Sequence, residues 1–358
     1  MPTLDPFQTS LAITRTMVDT FSVSGSEKEL ADAVEAALRP LAHLRVDRDG
    51  DTVVARTGLG RQRRVVIAGH LDTVPVNGNI PSELIRDELH GEELWGRGTA
   101  DMKAGCAILL KLAAELADPA VDVTWVWYDN EEVAAEFNGL GRVSRNHPDW
   151  LTADFAILAE PTGAEIEGGC NGTLRAEIRT TGRRAHTARA WAGENAIHRA
   201  VPILELLAGY TAREVEVDGL VYREGLSAVG IRGGVAGNVV PDECVVTVNY
   251  RFAPDSSGAE AEARIRELFA GHEVTLTDLA DGARPGLHDP LAQGFVAAIG
   301  SVPKPKYGWT DVARFAALGI PAINYGPGDP ALAHADDERV PVAQIERCEA
   351  GLRAWLSA

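Results

Sequence analysis

The most constraining feature of this sequence is a set of short apolar runs, each ending on polar residues able to do chemistry. Val65-Val66-Ile67-Ala68 leads into Gly69-His70-Leu71-Asp72. Val121 to Tyr128 leads into Asp129-Asn130-Glu131-Glu132. Phe155-Ala156-Ile157-Leu158-Ala159 leads into Glu160-Pro161-Thr162, and Pro321-Ala322-Ile323-Asn324-Tyr325 into a Gly/Pro loop ending at His334. Short unbroken runs bounded by turn residues are the pattern of strands covered on both faces, as in a mainly parallel sheet. Met102 to Leu116 carries apolar residues at helical spacing between the first two runs, so strand and helix alternate and the class is α/β. Leu11 to Leu44 predicts two helices. The second follows Ser24-Gly25-Ser26-Glu27, read as an N-capping turn, and stops before Pro40.

The middle of the chain has another rhythm. Thr173 to Arg179 alternates like a half-exposed strand, and Asn195 to Tyr210 reads as one amphipathic helix. Leu226–Arg232 and Glu243–Phe252 read as strands joined by Gly233-Gly234-Val235-Ala236-Gly237-Asn238. A helix over Ala259–Phe269 and a strand over Glu273–Leu279 follow. The order β-α-β-β-α-β is that of a ferredoxin-like α+β unit. With 358 residues, more than one ordinary core holds, this predicts two domains. A smaller one, 174–281, is inserted into a larger one formed by 1–173 and 282–358.

Charge and cysteine usage exclude several functions. The balance of 34 basic and 52 acidic side chains leaves −18, and nucleic-acid binding needs clustered Lys and Arg instead. An anionic small molecule is still compatible, through a local basic pocket. Met1 to Ser10 lacks the basic start and apolar run of a signal peptide, and no stretch is long and apolar enough to span a bilayer. Cys106, Cys170, Cys244 and Cys348 are scattered and form no CxxC pair. The expectation is a cytoplasmic protein with free thiols, acting without membrane or nucleic-acid partners.

The chemistry therefore falls to histidine and carboxylate. In open α/β sheets ligands bind beyond the carboxyl ends of the strands, and here those ends carry His70, Asp72, Glu131, Glu132, Glu160 and His334. Asp101 joins them from the Gly-rich turn Gly96-Arg97-Gly98-Thr99-Ala100-Asp101. Imidazole and carboxylate suit zinc, and their number exceeds one tetrahedral ion. His70 and Asp72, two apart, point to one side of an extended backbone, so the carboxylate can orient the ring. The two oxygens of Asp101 can bridge two ions. Glu131 and Glu132 diverge, so one can ligate while the other faces a water and takes its proton. Singly, each motif has an ordinary reading: a chance HxD pair, a solvated Glu-Glu, a turn, a surface loop. Together, all at strand ends or in adjoining loops, they point to a metal site.

Gly69-His70-Leu71-Asp72-Thr73-Val74-Pro75, Gly96 through Gly105 and the Glu131-Glu132 pair resemble the zinc aminoacylase/carboxypeptidase family over nearly the whole chain. The resemblance implies a zinc-exopeptidase-like catalytic domain with an inserted ferredoxin-like lid that dimerises. It implies two Zn2+ per subunit, replaceable by Co2+. His70, Asp101 and Glu160 would hold one ion, and Asp101, Glu132 and His334 the other. Asp72 would orient His70, and Glu131 would be the general base. His186, in Gly182-Arg183-Arg184-Ala185-His186-Thr187-Ala188-Arg189, would reach the partner subunit's site in a homodimer; without the resemblance it reads as an exposed loop histidine. Asn238, Arg251, Thr310 and Arg314 would contact substrate, their ordinary alternatives being a structural salt bridge and turn hydrogen bonds. Glu at position 160 resembles the deacylating members more than the carboxypeptidases. The expected reaction is removal of an N-acyl group from an amino acid, with N-succinyl-L,L-diaminopimelate the expected substrate. N-acetylornithine is an alternative, and a non-catalytic zinc-binding scaffold is a rival of another class. Cys170-Asn171-Gly172-Thr173 departs from an Arg-Arg-Gly-Ser stretch found in relatives of the expected subgroup. His43, His90, His147, His198, His272 and His288 match no motif and read as structural.

Overall fold

The computed structural model describes residues 2–87 and 91–358; Met1 and His90 lie outside the described residues. Two compact units emerge. One runs up to Gly168 and resumes over Pro285–Lys304 and Thr310–Ala358; the other comprises Gly169–Arg284 with Pro305–Trp309. The last segment, placed by the sequence with the larger domain, packs with the smaller unit.

The first unit is built on a mixed sheet whose strands lie in the order Arg45–Asp49, Thr52–Arg56, Asp122–Tyr128, Arg64–His70, Phe155–Leu158, Ala322–Asn324, Glu167–Gly168. The four formed by the predicted apolar runs are central and mutually parallel. The flanking strands are antiparallel, and the sequence reading did not include them. Arg45–Asp49 is polar and Glu167–Gly168 has two residues; Thr52–Arg56, though buried over Thr52–Ala55, carries only the three-residue apolar run Val53-Val54-Ala55, a weak signal in the sequence. Helix Ala104–Glu115 is buried around nearly its whole circumference, which explains why it shows so little polar face. Its Leu109, Leu112 and Ala113 share one core with Ile13, Leu30, Val34, Ile67, Trp125, Ile345 and Leu352. Parallel strands put all their carboxyl ends on one edge, so His70 pairs in register with Tyr128 and the loops beyond open together.

In the second unit a four-stranded antiparallel sheet runs Gly225–Gly233, Glu243–Phe252, Gly172–Thr181, Glu273–Ala280. That is the ferredoxin-like order. Leu174, Ala176 and Ile178 alternate into its core and meet Val246, Val248 and Ile265. One expectation needs correction. The single helix over Asn195–Tyr210 is two, Ala196–Arg199 and Val201–Ala208, because Pro202 has no N–H to continue the ladder. A two-stranded hairpin, Glu214–Val217 with Leu220–Arg223, follows it.

Candidate metal centre

The site assembles at the carboxyl edge of the parallel strands of the first unit. His70 is the last residue of its strand and is 1% exposed. Asp101 is brought in by the Gly-rich turn, where Gly98 has φ 82° and a Cβ would lie 2.7 Å from Thr73 Cγ2. Only glycine allows this close, left-handed passage. Glu160 follows the Phe155–Leu158 strand, and its segment is pressed against Gly326, where a Cβ would meet the Ala159 carbonyl oxygen at 2.3 Å. His334 itself has φ 66°, a strained conformation for a side-chain-bearing residue.

These elements bring the candidate ligands into overlapping sets. His70, Asp101 and Glu160 offer ligand atoms within 4.8 Å of one another, as do Asp101, Glu132 and His334. A third set, His70 with Glu131 and Glu132, puts Glu131 at the same centre. The two oxygens of Asp101 face different histidines: Oδ1 lies 3.0 Å from His70 Nε2 and Oδ2 lies 3.4 Å from His334 Nε2. His334 Nε2 is also 2.9 Å from Glu132 Oε1.

The electrostatics ask for cations. Burial raises the Glu131 pKa well above the carboxylate range, and Asp311, Glu160 and Glu132 push it further against the opposing pull of His70. Burial alone would lower the His70 pKa, but hydrogen bonds to Asp101 and Asp72 raise it well above its usual value. Bonds to Asp101 and Glu132 raise His334 to about 10. Asp101 would be raised by burial, yet its bonds to His334 and His70 hold it well below the usual range. The carboxylates around the two histidines thus favour positive charge at this nitrogen-and-carboxylate set. The donors, their spacing and the excess of carboxylate fit divalent metal ions. Cys106 does not compete as a ligand: burial pushes its thiol up to about 12, and its Sγ donates to the His70 carbonyl at 3.1 Å.

Asp72, 0% exposed, does more than orient His70. His70 Nδ1 is 3.0 Å from the Asp72 backbone carbonyl and 3.5 Å from its carboxylate. That carboxylate accepts the Glu131 N–H on Oδ1 and the Glu132 N–H on Oδ2, each at 3.0 Å, and Ser24 Oγ at 2.7 Å. Glu27, buried, accepts the Asn130 N–H at 3.0 Å. The Ser24–Glu27 turn therefore serves the site. As a helix cap it is absent, since Glu27 occupies the N-cap position of Lys28–Leu38 without a side-chain bond. Sequence reasoning missed Ser24 and Glu27 because their partners are 48 and 103 residues away.

Of the remaining expected residues, Thr310 and Arg314 lie in the first unit, outside the ligand sets. Thr310 Oγ1 donates to Asn324 Oδ1 at 2.8 Å. Arg314 pairs with buried Asp311, which also accepts from Asn138 Nδ2 at 2.9 Å. His186, Asn238 and Arg251 lie in the second unit. There His186 is exposed and its Nδ1 accepts the Ala188 N–H at 3.0 Å. The Asn238 carbonyl accepts from Thr187 at 3.0 Å, and Arg251 Nε donates to Asn249 Oδ1 at 3.1 Å.

A His/Asp/Glu cluster at the carboxyl edge of a parallel sheet, with a second ferredoxin-like unit inserted in the chain, defines a metal-dependent hydrolase. The sequence matches peptidase family M20/M25/M40 over residues 66–358. The chain belongs to that family. It is 55% identical, over 97% of each chain, to a Mycobacterium tuberculosis protein whose provisional name is succinyl-diaminopimelate desuccinylase DapE. It is 45% identical to the succinyl-diaminopimelate desuccinylase of Corynebacterium glutamicum, over 99% of this chain and 98% of that one. Among solved structures, a Staphylococcus aureus tripeptidase superposes with a TM-score of 0.77 at 18% identity, covering 97% of each chain. Among the described residues no helix is long and apolar enough to cross a membrane.

Proposed function

We propose that this protein hydrolyses N-succinyl-L,L-diaminopimelate to succinate and L,L-diaminopimelate, a step of lysine and cell-wall precursor synthesis. The observation that carries the chemistry is the pair of ligand sets sharing Asp101, with Glu131 beside them. Near-full-length similarity to two relatives named for this activity supports the substrate. His70, Asp101 and Glu160 would hold one zinc ion and Asp101, Glu132 and His334 the other. Bound there, the ions would acidify a water and polarise the amide carbonyl, and Co2+ would suit the same donors. Glu131, held in place through its N–H by Asp72, takes a proton from the attacking water. The water oxygen bonds to the carbonyl carbon, the carbon–nitrogen bond breaks, and Glu131 passes its proton to the leaving amine.

The second unit serves in this reading as a lid and dimerisation domain. Because the Ala188 N–H occupies His186 Nδ1, the neutral ring carries its proton on Nε2. That leaves an exposed donor for the oxyanion of a partner subunit's site. Asn238 and Arg251 would contact the substrate's carboxylate end, and Thr310 and Arg314 would support the pocket wall. Dimerisation is supported by the edge strand Gly225–Gly233, which among the described residues pairs on one side only and exposes Val229 and Ile231. Such an edge is a template for another chain. A cytoplasmic setting is supported by four buried cysteines that form no disulfide.

The test is turnover by zinc-loaded protein of N-succinyl-L,L-diaminopimelate and N-acetylornithine side by side. Preference for the first is expected. Cleavage of the second alone would keep the metal site and overturn the substrate. Cleavage of neither, nor of other N-acyl amino acids, would favour a zinc-binding scaffold.

A further inference from the structure

Glu338 and Arg97 are 1% and 3% exposed, and neither belongs to a ligand set. Glu338 Oε2 accepts from Arg97 Nη1 at 2.9 Å. Its other oxygen, Oε1, accepts the backbone N–H groups of Ala100 and Asp101, each at 3.0 Å. Arg97 Nη1 also donates to the Ala335 carbonyl at 3.0 Å, one residue beyond His334. The Gly96 N–H reaches the Glu338 carbonyl at 2.9 Å, extending the antiparallel pairing of Arg339–Pro341 with Gly91–Trp95. One ion pair therefore grips both the Asp101 turn and the His334 loop.

A buried ion pair is a poor source of stability, since desolvation offsets its attraction. What it supplies is direction. Two N–H groups on one oxygen fix the peptide entering Asp101, the residue common to both ligand sets. The guanidinium fixes the Ala335 carbonyl, one peptide beyond His334, whose φ of 66° relaxes unless its surroundings hold it. Asp101 and His334 reach the same set from turns more than 200 residues apart, so their spacing depends on what joins those turns.

We propose that Glu338 and Arg97 are positioning residues that set the spacing of Asp101 and His334, and with it the affinity for the ion shared by Asp101, Glu132 and His334. The inference rests on the metal-site reading above. Its test is calorimetric titration of metal-free wild type and Glu338→Gln with Co2+, together with the visible spectrum of the bound ion and thermal unfolding. Glutamine keeps the size and one acceptor but turns an amide N–H2 or a neutral oxygen toward Arg97. Binding of one of the two ions should weaken about 10- to 100-fold, its spectrum should change, and kcat should recover at saturating Co2+ with KM unchanged. Glu224→Gln is the control, a buried carboxylate of the second unit bonded to Arg213 and Tyr250; it should lower Tm without altering Co2+ binding. Wild-type affinities and spectrum in Glu338→Gln would overturn the proposal, whatever the loss of Tm. Should Glu338→Gln not fold, Arg97→Lys, which keeps the charge and loses the fork, is read by the same criteria. A wild-type protein that binds no Co2+ would instead overturn the metal-site reading itself.

Discussion

Replacing Asp72 with asparagine isolates the work of one carboxylate. Its Oδ1 accepts the Glu131 N–H, and its Oδ2 accepts the Glu132 N–H and the Ser24 hydroxyl. An amide presents one oxygen and one N–H2. With the N–H2 on the Oδ2 side, Ser24 can reverse its hydroxyl and accept, but the Glu132 N–H then faces another donor. With the N–H2 on the other side, the Glu131 N–H is orphaned. Either way one backbone donor in a half-buried turn loses its partner, at about 1–3 kcal/mol. The bonds that survive lose their charge assistance, which roughly halves them. The sum is a destabilisation of about 2–4 kcal/mol, and the loosened Glu131-Glu132 turn should weaken metal binding about 10- to 100-fold. Urea unfolding of both proteins in chelator reads the first quantity without metal, and titration with Zn2+ reads the second. A variant within about 0.5 kcal/mol of wild type, with unchanged metal affinity, would refute the assignment of this carboxylate as the anchor of the turn.

Glu131→Gln should lose about 10²- to 10⁴-fold in kcat while retaining the wild-type metal content; steady-state rates and metal analysis of the same preparation check both halves. His186→Ala should lower kcat without removing metal, and an unchanged rate would rule out the lid histidine as an oxyanion donor. In Gly326→Ala the new methyl would collide with the Ala159 and Glu160 carbonyls, at 2.3 and 2.7 Å. A cost of about 1–3 kcal/mol and weaker metal binding through Glu160 should follow, read by unfolding and calorimetry. Asp122 accepts from Leu59 N, Arg61 N and Thr57 Oγ1. Although burial would raise its carboxyl, these donors hold it below the usual range. A carboxyl depressed in the folded state adds stability above its unfolded pKa of about 3.9, lost as pH falls through the lower folded value. Asp122→Asn should therefore flatten the acid side of the stability curve below about pH 4, measured by urea unfolding at several pH values. An acid limb as steep as wild type would show that Asp122 carries none of it.

Much of the architecture was legible in the sequence because buried parallel strands demand unbroken apolar runs, and the loops after them must hold whatever the site uses. His70, Glu131, Glu132 and Glu160 follow such runs, and the structure gathers them with Asp101 and His334. The ferredoxin-like order was legible for a similar reason: alternation and helical spacing are local signals. The flanking antiparallel strands and the break at Pro202 were not read, the first because they are polar or carry at most three apolar residues in a row, the second because an apolar stripe hides a missing N–H.

The sequence by itself determined which residue types stand at the ends of the strands and which turns glycine permits. Tertiary structure decided what those side chains do to one another. It gave Asp72 two backbone N–H groups to hold and drew Ser24 and Glu27 out of a helix cap and into the site. It also joined Glu338 to Arg97 across 241 residues. The physical reason is range. Periodicity and turn chemistry act over a few neighbouring residues, whereas a buried carboxylate takes its partners from whatever the fold brings within about 3 Å.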